Sequence, residues 1–335
     1  MKKRIALILA AVLMLGLLAS CAQTPASGGA GSGSGAAATP IRLVLDWTPN
    51  TNHTGLYVAL ENGYFAEEGL DVDIQQPPEN GAEILLAAGN CEFAVSIQEG
   101  MGPAIAREAP LGIVAIAAII NHNTSGIMSL ASAGIETPGD LAGKRFATWE
   151  TPLVDAIIKN IVEADGGNFE DVIMIPNAAI DSIAAVQTEV DAAWIYYAWD
   201  GVAAELQGLD INYLDLGQIN PTFDYYTPVL CTNTDYAEAN PEIVKKFMKA
   251  VTRGYEYAMA EPDAAAQILL KHAPELDEEL VVASQQYLAT RYQAGGARWG
   301  EIDAERWGNF YAWMYDQGLL DSDIRDKGFT NEYLP

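Results

Sequence analysis

Short apolar runs alternate along the chain with segments whose apolar positions return every three or four residues. Ile41–Leu45, Val72–Gln75, Phe93–Ile97 and Leu111–Ile120 read as strands. Between them, Gly55–Glu61 and Ala82–Ala88 carry helical spacing and stop at Asn62-Gly63 and Gly89, residues that end helices without steric cost. A second series follows. Arg145–Thr148, Val172–Ile175, Ala192–Tyr196 and Ile211–Leu216 predict strands; Pro152–Ala164, Ile180–Thr188 and Gly201–Gln207 predict helices. Strands alternating with helices in this way predict an α/β protein whose sheets are mostly parallel and covered by helices. After Pro228 the pattern changes. Val229–Thr232 is one more strand, and the remainder is helical: Glu242–Met259, a helix opened by Pro262, Asp277–Tyr292 and Asp303–Gln317. Trp307, Phe310, Tyr311 and Met314 recur at helical spacing and predict a packing stripe.

The first residues follow a different logic. Lys2, Lys3 and Arg4 precede an uncharged apolar run, Ile5 to Leu18, which is shorter than the roughly 20 residues of a membrane-spanning helix and fits a secretory signal. Leu18-Ala19-Ser20-Cys21 resembles the bacterial lipobox. The resemblance implies a signal peptide over 1–20, cleavage before Cys21 and lipid on its thiol. Ala22–Thr39 has no charge and no large side chain, so 21–40 is expected to be a flexible tether. The layout predicts an exported protein, lipid-anchored on the outer face of the cell membrane, or periplasmic where the cell has two membranes.

Composition narrows the function. The formal net charge is −27, and loss of the three leader cations takes it to −30. Too few cations remain to build a basic face, which excludes a nucleic-acid partner. Acidity of this size suits a soluble protein, here expected to be a monomer, and weighs against an anionic ligand. Cys91 and Cys231 are isolated, with no CxxC and no zinc-like spacing, so a metal site is not expected. Two buried free thiols are favoured over a disulfide. No cofactor motif is present.

Leu45-Asp46-Trp47-Thr48-Pro49-Asn50-Thr51-Asn52-His53-Thr54-Gly55-Leu56-Tyr57-Val58-Ala59 resembles the substrate-binding proteins of transporters for thiamine pyrimidine precursors, and the fungal pyrimidine-precursor synthases related to them. Asn62-Gly63-Tyr64-Phe65-Ala66-Glu67-Glu68-Gly69-Leu70-Asp71-Val72 is similar to a wider group that also binds sulfonates, nitrate or riboflavin. Val162–Gly167 and Asp224-Tyr225-Tyr226 extend the likeness over the mature domain. The resemblance implies a two-lobed periplasmic-binding-protein (type II) fold with a hinge and an interlobe ligand cleft. Lobe 1 would comprise 41–130 and 229–335, and lobe 2 would comprise 131–228. The chain would cross the hinge near Ser129–Ala133 and Thr227–Leu230. It further implies an ABC permease and its ATPase as partners.

Candidate ligand contacts cluster at strand ends, where open α/β sheets bind. Asp46, Trp47, Asn50 and His53 follow the first strand and offer a π-face with polar groups for an aminopyrimidine edge. Gln98 ends another strand beside Glu99. Thr151 and Pro152 open a helix whose N-terminus attracts anions, although Glu150 beside it repels them, and Thr151 also fits a simple N-cap. Trp194, Tyr196 and Tyr197 crowd one strand end, with alternation placing Trp194 and Tyr196 on one face. A ring from this group is expected to stack on a small heteroaromatic ligand. Asp224, Tyr225 and Tyr226 bring a carboxylate near the second crossing. The rival class is an enzyme such as the fungal synthases, which carry a cysteine-rich iron motif absent from this chain. GxSxG, HExxH and a phosphate-binding glycine loop are absent too. The reading is therefore a solute-binding importer component, with riboflavin or a sulfonate as alternative ligands.

Overall fold

A computed structural model describes residues 37–79, 81–149, 151–176 and 181–335. The expected signal peptide, Cys21, nearly all of the expected tether, and Glu150 lie outside the described residues. The described residues form ten strands: β1 (Thr39–Val44), β2 (Leu70–Gln75), β3 (Phe93–Ser96), β4 (Ile113–Ala118), β5 (Ser125–Leu130), β6 (Arg145–Thr148), β7 (Ile173–Pro176), β8 (Ala192–Tyr196), β9 (Ile211–Asp215) and β10 (Val229–Asn233). Among the described residues no helix is long and apolar enough to cross a membrane.

The strands form two five-stranded sheets, ordered β2-β1-β3-β10-β4 and β7-β6-β8-β5-β9. These are the cores of two lobes with matching plans. In the first, β1 pairs in parallel with β2 and β3, while β10 runs antiparallel between β3 and β4. In the second, β6 pairs in parallel with β7 and β8, while β5 runs antiparallel between β8 and β9. The sheets are thus mixed, and the reason is connectivity: β5 and β10 are the strands that enter a lobe from its neighbour and arrive running the opposite way. β3 is buried throughout, as expected of a strand covered on both faces, whereas β1 alternates at Ile41, Arg42 and Leu43 before its buried end.

One boundary differs from the sequence reading. The sequence places Ser125–Leu130 in the first lobe, with the crossing at Ser129–Ala133. In the structure this segment is β5, paired with β8 and β9 of the second sheet, so the chain crosses earlier, over 119–124. An apolar run that continues through Ile119 and Ile120 hides the point where one sheet ends. The return crossing runs over 224–228, between Phe223 and the start of β10.

The C-terminal helices brace the first sheet. Pro241–Ala260 crosses Thr54–Glu61 at a glycine pair: a Cβ on Gly254 would meet the Gly55 carbonyl oxygen at 2.0 Å, and one on Gly55 would meet the Tyr255 ring at 2.4 Å. Tyr255 stacks on Trp299 with ring centres 4.3 Å apart. Phe247 stacks on Phe93 at 3.7 Å, tying the same helix to β3. The predicted stripe of Trp307, Phe310, Tyr311 and Met314 on Ala304–Asp316 is buried in the core. Cys91 and Cys231 are free and buried, and burial pushes the Cys91 thiol up to about 11.

Candidate functional site

In each sheet the chain reverses its direction of travel across the strands, at β1/β3 in the first and β6/β8 in the second, and side chains beyond the carboxyl ends of those strands have no neighbour in sequence to cover them. These ends converge. Asp46 follows β1, Ser96 ends β3, Glu99 begins the helix Gln98–Ala106, Trp149 follows β6 and Tyr196 ends β8.

Glu99 is the centre of this group. Its side chain is half-buried, but Oε2 is sealed from solvent and has no hydrogen-bond partner. Burial raises its carboxyl to about 8, with the Asp46 and Glu83 carboxylates adding to the shift, so it is largely protonated at neutral pH. Tyr196 and Tyr225 face it. Burial raises both phenols, and the charge of Glu99 is the next contribution in each case. Ser96 Oγ donates to Glu83 Oε1 at 2.6 Å, which fixes the second carboxylate of the wall. On the opposite lobe Asp200 accepts from Ser182 Oγ at 2.8 Å and from the Tyr196 backbone N–H at 3.4 Å; burial raises its carboxyl as well. Trp149, 42% exposed, is 6.4 Å from Tyr196, ring centre to ring centre. The arrangement is a wall of carboxyl and phenol groups with an exposed indole at its mouth, acceptor-rich and, among the described residues, without a cation.

Of the residues expected from sequence, Asp46, Tyr196 and Tyr225 meet here. Trp47 projects from the loop after β1 and is 68% exposed. Others build the frame. His53 is fully buried; its Nδ1 accepts from the Asn50 N–H at 3.2 Å, so Nε2 carries the proton and donates to Asp46 Oδ1 at 2.7 Å. It orients Asp46. Asn50 spends its side chain capping the turn Thr51–His53, accepting from the Asn52 N–H and donating to the Thr48 carbonyl. Gln98 is buried and clasps the return crossing, accepting from the Tyr226 N–H at 2.9 Å and donating to the Trp307 carbonyl. Thr151 is exposed and caps its helix by accepting from the Val154 N–H, with Pro152 beside it in the first turn.

Four expected residues lie elsewhere in the structure. Trp194, expected to stack on a ligand, belongs to the hydrophobic core and is 3% exposed; it alternates with Ile195, but both sides of this central strand are covered. Tyr197 packs on Tyr213 and Tyr287 and bonds Glu205, away from Glu99. Asp224 and Tyr226 turn to the other side of the crossing from Tyr225. Asp224 accepts from Arg306 Nη1 at 2.9 Å and lies 2.6 Å from His122 Nδ1. Burial pulls its carboxyl upward, but the His122 hydrogen bond and the Arg306 charge outweigh that and leave it below the usual carboxylate range. Arg306 also covers the Tyr226 ring at 4.0 Å. A recess of about 460 Å³ opens beside this group, lined in part by Asn121, His122, Asp224 and Arg306. Its Asp224, His122 and Arg306 already pair with each other, whereas the sealed Oε2 of Glu99 has no partner, so the carboxyl wall is the stronger candidate.

Asp200 is the site residue that the sequence pattern does not single out, whereas Glu99 reads in sequence as either a polar partner or a helix cap. Glu99 sits in the first turn of a helix, where an acid reads as a favourable cap. Asp200 lies in a π-helical turn, Tyr197–Gly201, and such turns recur at functional sites; the turn itself has no clear sequence signature.

Comparison with known proteins gives the family and the fold. Over 328 residues, covering 95% of both chains, the protein is 33% identical to the formylaminopyrimidine-binding protein of Halalkalibacterium halodurans. It is 25% identical to the riboflavin-binding protein RibY of Chloroflexus aurantiacus, covering 88% of this chain and 86% of that one. Its fold is that of the periplasmic aliphatic sulphonate binding protein SsuA of Escherichia coli, with a TM-score of 0.68 at 16% identity over 88% of this chain and 99% of that one. A model of the family described as NMT1/THI5 like matches residues 50–265, more than half of the sequence, and the chain belongs to that family.

Proposed function

We propose that this protein is the extracytoplasmic solute-binding component of an ABC importer, and that it captures an aminopyrimidine precursor of the formylaminopyrimidine class between its two lobes. The carrying observation is the sealed, partnerless Oε2 of Glu99 in a wall that includes Asp46, Tyr196 and Tyr225. An unmatched buried carboxyl costs about 1–3 kcal/mol and is retained where a ligand completes it. An aminopyrimidine is complementary. The protonated carboxyl donates its O–H to a ring nitrogen and accepts an N–H from the exocyclic amine. The exposed indoles Trp47 and Trp149 are positioned to cover ring faces, each stack adding ~0.5–1.5 kcal/mol beyond burial. A sulfonate or nitrate would instead meet Asp46, Glu83 and Asp200 as like charges. The likeness to a formylaminopyrimidine-binding protein supports the same ligand class.

The protein binds and releases its ligand unchanged, handing it to a permease driven by an ATPase. It is held at the outer membrane surface through lipid on Cys21. Calorimetric titration with formylaminopyrimidine, hydroxymethylpyrimidine, riboflavin, taurine and nitrate tests the reading. Heat from a pyrimidine, weakened at least tenfold (about 1.4 kcal/mol) in Glu99→Gln and Tyr196→Ala, is expected. Binding of taurine or nitrate with silence from the pyrimidines refutes it. Binding of riboflavin alone keeps the role and replaces the ligand.

A further inference from the structure

The turn that carries Asp200 has two faces. Asp200 points toward Ser182 and the end of β8. The residues just before it belong to the other lobe's interior. Ala198 is 4% exposed and forms part of the hydrophobic cluster built from Leu56, Leu288 and Tyr292, with Trp199 packed on its rim. The carbonyl of Ala198 accepts a hydrogen bond from Ser284 Oγ. Ser284 is fully buried on the helix Glu278–Ala289, and its hydroxyl also lies 2.6 Å from Thr51 Oγ1. Thr51 stands in the loop that holds Asp46 and His53, and its carbonyl is anchored at 2.6 Å by the Tyr292 hydroxyl. One hydroxyl therefore joins the ligand-bearing loop of the first lobe to the ligand-bearing turn of the second. One turn along the same helix face, Tyr287 lies with its ring centre 5.2 Å from that of Tyr197, and Arg291 covers the far side of Tyr287 at 3.4 Å.

We propose that Ser284 and Tyr287 form a closure latch: positioning residues that hold the turn Tyr197–Gly201 against the first lobe and so set ligand affinity without touching the ligand. Only the closed arrangement brings Asp200 and Tyr196 to the Glu99 wall, and apparent affinity scales with the fraction of molecules that are closed. The two chain crossings fix where the lobes pivot. The latch fixes how long they stay together. Thr51, Ser284 and Ala198 act in series, so loss of the middle hydroxyl strands a buried carbonyl on one lobe and a threonine hydroxyl on the other.

Two readouts test this, and the first needs no ligand. Interlobe distance is measured between fluorophores on cysteines placed at Glu170 and Lys246, exposed positions on opposite lobes, in a Cys21→Ser background. Cys91 and Cys231 are buried, which keeps them from the label. Ser284→Ala and Tyr287→Ala are expected to lengthen the distance in the empty protein, while Tyr287→Phe, which keeps the ring, leaves it unchanged. The second readout, resting on the capture role above, is formylaminopyrimidine kinetics: about a tenfold faster release with an unchanged association rate. An unaltered distance in both alanine variants overturns the latch even where melting temperature falls, as does loss of affinity through association alone. Failure of the pyrimidine to bind would count against the ligand assignment and leave the distance result to decide the latch.

Discussion

Replacing Glu99 with glutamine isolates the carboxyl at the centre of the cleft. In the folded protein this group titrates near 8, against 4.5 for an ordinary glutamate. Between those values the folded state keeps a proton that the unfolded chain has released. Stability therefore falls as pH rises through that window and is indifferent to this group below and above it. Each pH unit is worth ~1.36 kcal/mol. From 4.5 to pH 7 the full effect is about 3 kcal/mol, and solvent reaching the rest of the side chain reduces it to about 2–3 kcal/mol. Glutamine has the same shape, cannot titrate and removes this slope. The raised carboxyl of Asp200 contributes equally to both proteins and cancels in the comparison. Urea unfolding at half-unit steps from pH 5 to pH 8 is the assay. The variant should gain on the native protein steadily as pH rises, by about 2 kcal/mol between pH 5 and pH 7. Parallel stability curves would mean that Glu99 is solvated or paired, and the argument for a sealed acceptor would fail with it.

Trp194→Ala should lower stability by about 3–5 kcal/mol in denaturant unfolding, the cost of emptying a core indole site; a loss of ligand affinity with stability intact would return Trp194 to the cleft. Gly254→Ala should destabilise by more than the few tenths of a kcal/mol of a surface change, because its Cβ would fall 2.0 Å from the Gly55 carbonyl oxygen. An unchanged melting temperature would show that the two helices can separate freely. Cys21→Ser should move the protein from the membrane fraction to the medium or periplasm, measured by fractionation, and retention at the membrane would remove the lipid anchor.

Much of the fold is legible because the apolar spacing is local information. The helices Pro241–Ala260 and Ala304–Asp316 and the strands β3, β6, β8 and β9 fall within a residue or two of their expected limits. The lobe boundary is less visible, since Ile119 and Ile120 continue the apolar run of β4 past its last pairing. Within the site, alternation correctly separates Tyr196 from Tyr197, but periodicity says only which side chains share a face. It says nothing about whether that face meets a cleft or a helix, so Trp194 reads the same as Tyr196. Asp224 lies apart from the wall for a different reason. Its partner Arg306 is 82 positions away, and a pairing at that distance leaves no trace in local composition. The frame residues His53 and Gln98 have the right chemistry for ligand contact and use it on the protein's own backbone and carboxylates.

The strand orders also dictate a sequence of events in folding. β10 lies in the interior of the first sheet, between β3 and β4, yet it is the last strand to leave a ribosome or a translocation channel. Until residue 233 has emerged, the first sheet has an unfilled slot between β3 and β4, which leaves the facing edges of both unpaired. The second sheet has no such gap, since β5 through β9 are contiguous in the chain. The lobe that begins second is therefore the one able to finish first. A chain ended at Pro228 should show a protease-resistant core confined to about 119–228, and protection extending over β1–β4 in that fragment would contradict this order. A completed second lobe would then serve as the platform on which the first is closed.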